Sequence, residues 1–342
     1  MTSRERVLTA MRRAPTNIPV VGNAVSIATV ELMEATGCFF PEAHIDAEAM
    51  AGLAAAGHDL LGYDTIAPVF SVQHEADALC CEVDWGRVDM MPDATLHPCA
   101  TARDIHLPAD ILRHPALVVV LDALKLLRER YPDVALVGKV FGPWTLAYHL
   151  FGVERFLMMT LDDPDEVHRI LEMLMPLPEL FARKQLEAGA DVITLADHAT
   201  GDLVAPEMYR DFLWPLHKTL AKVISGPVIL HICGDTLDRI PWISRSGLEC
   251  FHFESKVPAA KARWAAGDRI ALMGNINNPR TLLHGTPEDV AAEVEAALNA
   301  GVEIVAPECA VPLTTPTENL RAVAEAARAW TPPAARPRRR RL

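Results

Sequence analysis

The chain has 342 residues, half of them hydrophobic, and a formal net charge of −13 at pH 7. That much apolar material is enough for a large buried core and excludes a generally disordered chain, while the acidic balance disfavours a nucleic-acid-binding protein, which needs clustered Lys and Arg. No apolar run has transmembrane length, and the seven scattered cysteines favour reduced thiols in a cytoplasmic protein.

Charged segments stand at both ends of the chain. The segment "MTSRERVLTAMRRAP" at residues 1–15 predicts an amphipathic helix and lacks the apolar core and cleavage site of a secretory signal. The segment "PAARPRRRRL" at residues 333–342 predicts a disordered basic tail. Such a run could attract RNA or anionic lipid, but like-charge runs are typically solvated, so we assign the fold to residues 1–332 and no role to the tail.

Between these ends, eight short apolar segments alternate with helical patterns. The predicted strands begin at Ile18, Thr65, Ala135, Val192, Val228, Cys250, Ile270 and Glu303. A helix predicted at "TPEDVAAEVEAALNAG" begins at a Thr cap and ends at Gly301. Eight strand-and-helix units in one chain favour an α/β fold with a single parallel (β/α)8 TIM barrel over an open doubly wound sheet.

The segment from residue 71 to about residue 115 is far longer than an ordinary connection between a strand and a helix. It follows the second predicted strand, and connections that follow barrel strands lie on the face where barrel enzymes bind their substrates. We therefore predict that this insertion is a lid over the site. The alternative is a surface excursion that takes no part in the chemistry.

A histidine and a cysteine stand two positions apart at the end of the fifth predicted strand, in "VILHICGDT". Because side chains alternate along a strand, His231 and Cys233 project to the same side, near the mouth of the barrel. Imidazole and thiolate are borderline-soft ligands that suit Zn²⁺. Taken alone the pair is a weak signal, since a buried cysteine commonly acts as a small hydrophobe and a histidine at a strand end often binds a backbone carbonyl.

The best candidate for a third ligand is Cys309, in "EIVAPECAVP", because it follows the eighth predicted strand and emerges on the same face of the barrel. Two cysteines and one histidine form a known catalytic zinc set that leaves a fourth position for a weak ligand, water or substrate. The remaining cysteines are predicted not to bind metal: Cys38, Cys80, Cys81, Cys99 and Cys250.

Three further polar side chains follow predicted strands. Asp197 could accept a substrate proton or act as a displaceable metal ligand; alternatively, it caps the following turn or helix. Asn275, in "GNINNP", lies in a tight segment that could approach a substrate or could be a purely structural turn. Lys139 could bind an anionic substrate or pair with a nearby carboxylate.

Three motifs, "HICGDT", "GNINNP" and "PECAVPLTTPTENL", occur in this order, each after a predicted strand. Together with "VVGNAVSIATVELMEATG" and "CEVDWG" nearer the N-terminus, they resemble the methylcobamide:thiol methyltransferases, the coenzyme M methyltransferase branch of the uroporphyrinogen decarboxylase superfamily. The resemblance spans nearly the whole chain.

This resemblance implies that His231, Cys233 and Cys309 bind a zinc ion that activates a thiol such as coenzyme M, with a related acceptor such as tetrahydrofolate as an open alternative. It also implies that the methyl donor is a methylcobamide (cobalamin) carried by a separate corrinoid protein. In agreement, the chain has no Asp-x-His-x-x-Gly corrinoid-binding signature, since "DIHLPA" from Asp104 lacks the glycine.

Two other functions stay open. A porphyrinogen decarboxylase shares the barrel in this superfamily, but by family resemblance it would carry an Arg-rich loop after the first strand, and "VGNAVSIATVELMEATG" contains neither Arg nor Lys. The second alternative is a non-catalytic module that binds zinc or a corrinoid protein. Metal content, together with thiol-dependent demethylation of methylcobalamin, would separate that module from an enzyme.

Overall fold

Eight parallel strands form the central sheet in the computed structural model, which describes residues 1–332; the basic tail predicted at residues 333–342 lies outside the described residues. The strands are β1 (Val20–Val21), β2 (Thr65–Ile66), β3 (Ala135–Phe141), β4 (Val192–Ala196), β5 (Val228–Ile232), β6 (Cys250–Phe253), β7 (Ala271–Ile276) and β8 (Ile304–Pro307). Their order in the sheet is β1, β8, β7, β6, β5, β4, β3, β2, and every neighbouring pair is parallel. Each begins at the residue predicted from the sequence or one or two residues later.

The two edge strands meet through Asp64, so the sheet nearly closes on itself. The Asp64 backbone N–H donates to the Val21 carbonyl at 2.7 Å, and the Asp64 carboxylate accepts from the Val21 N–H at 3.1 Å. The same carboxylate binds the Arg6 guanidinium, which ties the first helix to this seam. The prediction of a TIM barrel is confirmed.

Helices follow the strands and cover the outside of the barrel. The α-helices are Ser3–Met11, Val30–Thr36, Glu42–Ile45, Ala47–Asp59, Gln73–Ala78, Pro115–Arg130, Pro143–Phe151, Val153–Asp162, Pro164–Leu174, Pro176–Glu187, Pro206–Met208, Trp214–Val223, Ile240–Ile243, Ala259–Ala266, Pro287–Asn299 and Thr317–Ala329. Shorter 3-10 segments are Ala102–Asp104 and Ile111–Arg113, and π-helical segments are Tyr209–Leu213 and Asn278–Leu283. Within residues 1–332, none of the helices is both long and apolar enough to cross a membrane.

The helix Pro287–Asn299 has the ends that the sequence predicted. The Thr286 hydroxyl accepts a hydrogen bond from the Asp289 N–H at the first turn. The chain leaves the helix at Gly301, whose φ of +85° favours glycine.

The interior of the barrel is packed with small and branched side chains. Near the first residues of the strands, Val7, Ala10 and Met11 of the first helix pack against Val20 and Ile304. This helix therefore fills one end of the barrel, and the carboxyl ends of the strands form the open end, where barrel enzymes carry their sites.

The insertion after β2 contains secondary structure of its own. It begins with helix Gln73–Ala78 and continues into a hairpin in which Val83–Asp84 pairs with Asp93–Ala94. Glu75 of this helix is buried, and both of its carboxylate oxygens accept from the Phe141 N–H at 3.2 Å. The insertion therefore packs against the carboxyl end of β3, on the face that the sequence predicted.

Candidate metal centre

Strand β5 leads into a pair of side chains that can bind metal. His231 lies within the strand, Cys233 follows its last residue, and His231 Nε2 is 3.1 Å from Cys233 Sγ. The chain then turns at Gly234, where φ is +79° and a Cβ would stand 2.0 Å from Thr200 Oγ1. Glycine is therefore required directly after the cysteine.

Cys309 approaches this pair from the end of β8. Its Sγ lies 3.1 Å from Cys233 Sγ and 3.6 Å from His231 Nε2. Glu308 holds the turn in place, because its carboxylate accepts from the Asn278 N–H at 2.7 Å and from the Ser255 N–H at 2.8 Å. The residue next to Cys309 is thus held by backbone N–H groups that follow β6 and β7, the two strands that lie between β5 and β8 in the sheet.

The three donor atoms suit a borderline-soft divalent metal ion. They lie within 4.8 Å of one another, and no other such group of His, Cys, Asp or Glu side chains is found in residues 1–332, so the other five cysteines lie outside it. Ligand atoms around a tetrahedral zinc ion stand about 3.5–3.8 Å apart. The observed separations of 3.1–3.6 Å need to widen by only a few tenths of an ångström, so the predicted ligands fit such an ion.

The contact between the two thiols shifts their pKa values in opposite directions. The two sulfurs lie 3.1 Å apart, within hydrogen-bond distance, and this contact, with a second from His231, lowers the pKa of Cys309 well below the usual thiol value. The same contact, together with burial, raises the pKa of Cys233. The lowered pKa of Cys309 favours its thiolate, which is the form of a cysteine that binds a cation.

A cavity of about 340 Å³ lies in front of these side chains, and all three form part of its wall. Residues 71–73 of the insertion, and Met91 and Pro92 of its hairpin, form another part of the wall. The insertion predicted to be a lid therefore borders the cavity, and its closure over a substrate stays a prediction.

Lys139 projects into the same cavity from β3. Its side chain is 4% exposed, and within residues 1–332 no carboxylate comes within 4.0 Å of its Nζ. Burial lowers the pKa of Lys139 to about 8, against the opposing effect of Cys309 and Glu75. The ammonium group thus faces the cavity instead of forming the close carboxylate pair that was the alternative.

Asp197 follows β4, lines the cavity and is held by three donors. Its Oδ1 accepts from the Thr145 N–H at 2.8 Å and from the Thr145 hydroxyl at 3.0 Å, and its Oδ2 accepts from His217 Nε2 at 3.1 Å. Thr145 lies in the first turn of helix Pro143–Phe151, so Asp197 caps the helix after β3 and not a turn of its own. Gly142 allows this approach, since a Cβ there would stand 2.2 Å from the carboxylate.

His217 and Tyr209 extend this network into the protein interior. The Tyr209 hydroxyl lies 3.0 Å from His217 Nδ1, and both side chains are fully buried. His217 thus lies between the two groups, with Nε2 facing the carboxylate of Asp197 and Nδ1 facing the tyrosine hydroxyl. Sequence reasoning missed both residues, since a histidine and a tyrosine on a helical segment give no sign of the carboxylate that they meet.

Two other polar residues take contrasting positions. His198, for which the sequence suggested no role, lines the cavity and is exposed at its rim. Asn275 is absent from the cavity wall described by residues 1–332, and its side-chain amide donates to the Val257 carbonyl at 3.0 Å. The structure does not bring Asn275 to the cavity, and substrate binding by Asn275 stays a prediction.

The chain is similar over nearly its full length to proteins of one family. Residues 2–330 match the family model described as uroporphyrinogen decarboxylase (URO-D). The chain is 34% identical to the methylated-thiol coenzyme M methyltransferase of Methanosarcina mazei, over 95% of this chain and 89% of that protein. It is 33% identical to the methylcobamide:CoM methyltransferase MtaA of Methanosarcina barkeri, over 95% and 97%. A solved methyltransferase from Methanosarcina mazei superposes with a TM-score of 0.93 at 33% identity, covering 96% of this chain and 98% of that chain.

We expect Asp197→Asn to lower the free energy of unfolding by about 1–3 kcal/mol, because the new amide N–H₂ group must face Thr145 or His217, which are both donors. Denaturant unfolding measures this change. Asp211→Asn is the control, since Asp211 is half exposed and pairs with Arg210 at the surface. The free energy of unfolding of this variant should hardly change. Equal losses in the two variants would contradict the three-donor arrangement.

Proposed function

Because the chain belongs to the uroporphyrinogen decarboxylase family and, within it, to the methylcobamide:coenzyme M methyltransferases, we propose that it is a zinc-dependent enzyme that methylates a thiol. The methyl donor is a methylcobamide on a separate corrinoid protein, and the acceptor is coenzyme M. The observation that carries the proposal is the convergence of His231 Nε2, Cys233 Sγ and Cys309 Sγ, 3.1–3.6 Å apart, on the wall of the cavity.

His231, Cys233 and Cys309 would hold the zinc ion. When bound, the ion would lower the pKa of the acceptor thiol and hold its sulfur as a nucleophilic thiolate. Three protein ligands are typical of catalytic zinc sites, whereas structural sites are closed by four. The cavity in front of the ligands gives an acceptor room to approach from the side of the insertion.

The proposed reaction forms a bond between the acceptor sulfur and the methyl carbon and breaks the cobalt–carbon bond, whose electron pair stays on the cobalt of the donor. The thiol proton leaves separately. Asp197 is the proposed acceptor of this proton, because it lines the cavity and a carboxylate has about four acceptor positions, of which three are occupied. The insertion would keep water from the reacting atoms.

Lys139 supports an acceptor that carries a negative charge. Its ammonium group is buried, faces the cavity and has no close carboxylate within residues 1–332. An anionic group on the substrate would supply the missing partner, while the thiol of the same molecule reaches the metal ligands. Coenzyme M is such a thiol. Tetrahydrofolate is the second acceptor to be assayed.

The porphyrinogen decarboxylase alternative has less support. A porphyrinogen carries several carboxylates and would need several cationic partners. Among the side chains of residues 1–332 that line the cavity, Lys139 is the one lysine, and no arginine joins it. A non-catalytic module is disfavoured because three ligands at the wall of a cavity leave room for a reactant.

We expect Cys309→Ala to lower the affinity for zinc by more than about 100-fold, since loss of even an outer-sphere partner of a metal ligand costs about 10–100-fold. The demethylation of methylcobalamin by coenzyme M should be lost in parallel. Metal analysis and the absorbance change of the corrinoid measure the two effects on the full chain.

Cys80→Ser is the control for this test, because Cys80 is exposed and lies outside the ligand group. It should keep both zinc and activity. Unchanged zinc content and rate in Cys309→Ala would remove Cys309 from the site. Zinc without turnover in the unmodified chain, for every thiol and for tetrahydrofolate, would favour the module.

We expect Lys139→Met to raise the KM for coenzyme M by about 10–100-fold with a smaller effect on kcat, because a hydrogen bond to a charged group contributes about 1.5–3 kcal/mol. With 2-mercaptoethanol, which has no anionic group, the variant and the unmodified chain should have similar KM values. Steady-state kinetics with both thiols measure the difference.

The pH dependence gives a second readout of the same lysine. The pKa of Lys139 is lowered to about 8, so its charged form is present below that pH and is lost above it. The KM for coenzyme M should therefore rise as the pH passes through about 8, and this rise should be absent in Lys139→Met. A KM that is equally insensitive to pH and to the substitution would exclude Lys139 from substrate binding.

A further inference from the structure

Two buried histidines stand side by side inside the barrel. His231 of β5 and His252 of β6 are register partners on neighbouring strands. Their ring centroids are 4.6 Å apart, and their planes differ by 33°. His252 is fully buried and is not one of the three candidate metal ligands. It nevertheless contacts one of them, His231.

Hydrogen bonds fix where each ring carries its proton. His252 Nε2 lies 2.8 Å from the Pro307 carbonyl oxygen. Because a carbonyl can only accept, the neutral ring has its proton on Nε2 and an acceptor at Nδ1. His231 directs Nε2 to the two sulfurs, so a ring that binds metal through Nε2 has its proton on Nδ1. The two remaining nitrogens are therefore one donor and one acceptor.

Both Nδ1 atoms are buried, and neither has a hydrogen-bond partner within residues 1–332. The Thr194 hydroxyl is also buried without a hydrogen-bond partner in this part of the chain. Thr194 lies on β4, next to β5. It shares its face of the strand with Ala196, which lines the cavity, so it points into the barrel. Three polar atoms without partners on adjacent strands are costly unless something bridges them.

The two rings form no direct hydrogen bond to each other: although their centroids are 4.6 Å apart, neither Nδ1 atom has a partner within residues 1–332. We propose that His252 orients the metal ligand His231 through one buried water molecule, which accepts from His231 Nδ1–H and donates to His252 Nδ1. About three hydrogen bonds are usual for a buried water, and the unpartnered Thr194 hydroxyl on the neighbouring strand is the group proposed as its third partner.

Such a link has a known effect on a metal site. A partner on the second nitrogen of a ligating histidine holds the orientation of the ring and raises its basicity, and its loss typically costs about 10–100-fold in metal affinity. The inference rests on the proposed function, because it assumes that His231 binds zinc. His252 is a positioning residue that acts through His231.

Chelator competition on the full chain tests this role. His252→Phe keeps a planar ring but removes both nitrogens, and should weaken zinc binding by about 10–100-fold. His252→Asn keeps an acceptor near the position of Nδ1 and should restore most of the affinity. Phe251→Leu is the control, because Phe251 packs in the helix-side core on the other face of β6 and should change stability without changing zinc affinity.

Nitrogen-15 NMR of the zinc-loaded, unmodified chain shows directly which ring nitrogen of each histidine carries the proton. This measurement does not depend on the folding of a variant. The expected result is a proton on Nε2 of His252 and on Nδ1 of His231. A proton on Nδ1 of His252, or full zinc affinity in His252→Phe, would overturn the role of His252 while leaving zinc bound. An unmodified chain that binds no zinc would overturn both this inference and the proposed function.

Discussion

Closure of a parallel barrel determines where the polar side chains of the site meet. It brings the carboxyl ends of β5 and β8 to one mouth, so that Cys233 and Cys309, 76 residues apart in the chain, place their sulfurs 3.1 Å from each other. Two thiols and an imidazole at such distances repel or share protons unless a cation joins them. The ends of two strands fix the three side chains, His231 and Cys233 at the end of β5 and Cys309 after β8, and the proposed metal site is open on the side of the cavity.

The walls of the cavity are held by contacts between neighbouring strand-and-helix units. Glu308 spans the turns after β6 and β7, and Asp197, after β4, caps the helix that follows β3. Gly142 and Gly234 lie at two close approaches between units, since a Cβ at either position would collide with Asp197 or Thr200 of the adjoining unit. In the proposed function, binding groups on such a rigid frame would hold an acceptor thiol and its anionic end at a fixed separation, which is what a displacement between two bound reactants needs.

The sequence predicts most of the frame but little of its polar interior. Strand starts are readable because buried parallel strands are short apolar runs, and alternation along β5 is enough to place His231 and Cys233 on one side. A hydrogen bond between side chains of different strand-and-helix units leaves no pattern in the sequence. Asp197 reads equally well as a local cap, and nothing in the helical pattern around His217 indicates that it binds a carboxylate. Glu75 lies in the polar segment "QHEADA", which reads as exposed but is buried against β3.

The coordination of bound zinc decides whether the three side chains form a site that activates a thiol. Zinc K-edge X-ray absorption on the purified full chain should give two sulfur ligands at about 2.3 Å, with nitrogen or oxygen ligands at about 2.0–2.2 Å completing the coordination shell. Addition of coenzyme M should add a third sulfur at a similar distance. A shell without sulfur would exclude zinc binding by the two cysteines, and a spectrum that does not change when the thiol is added would exclude direct binding of the thiol to zinc.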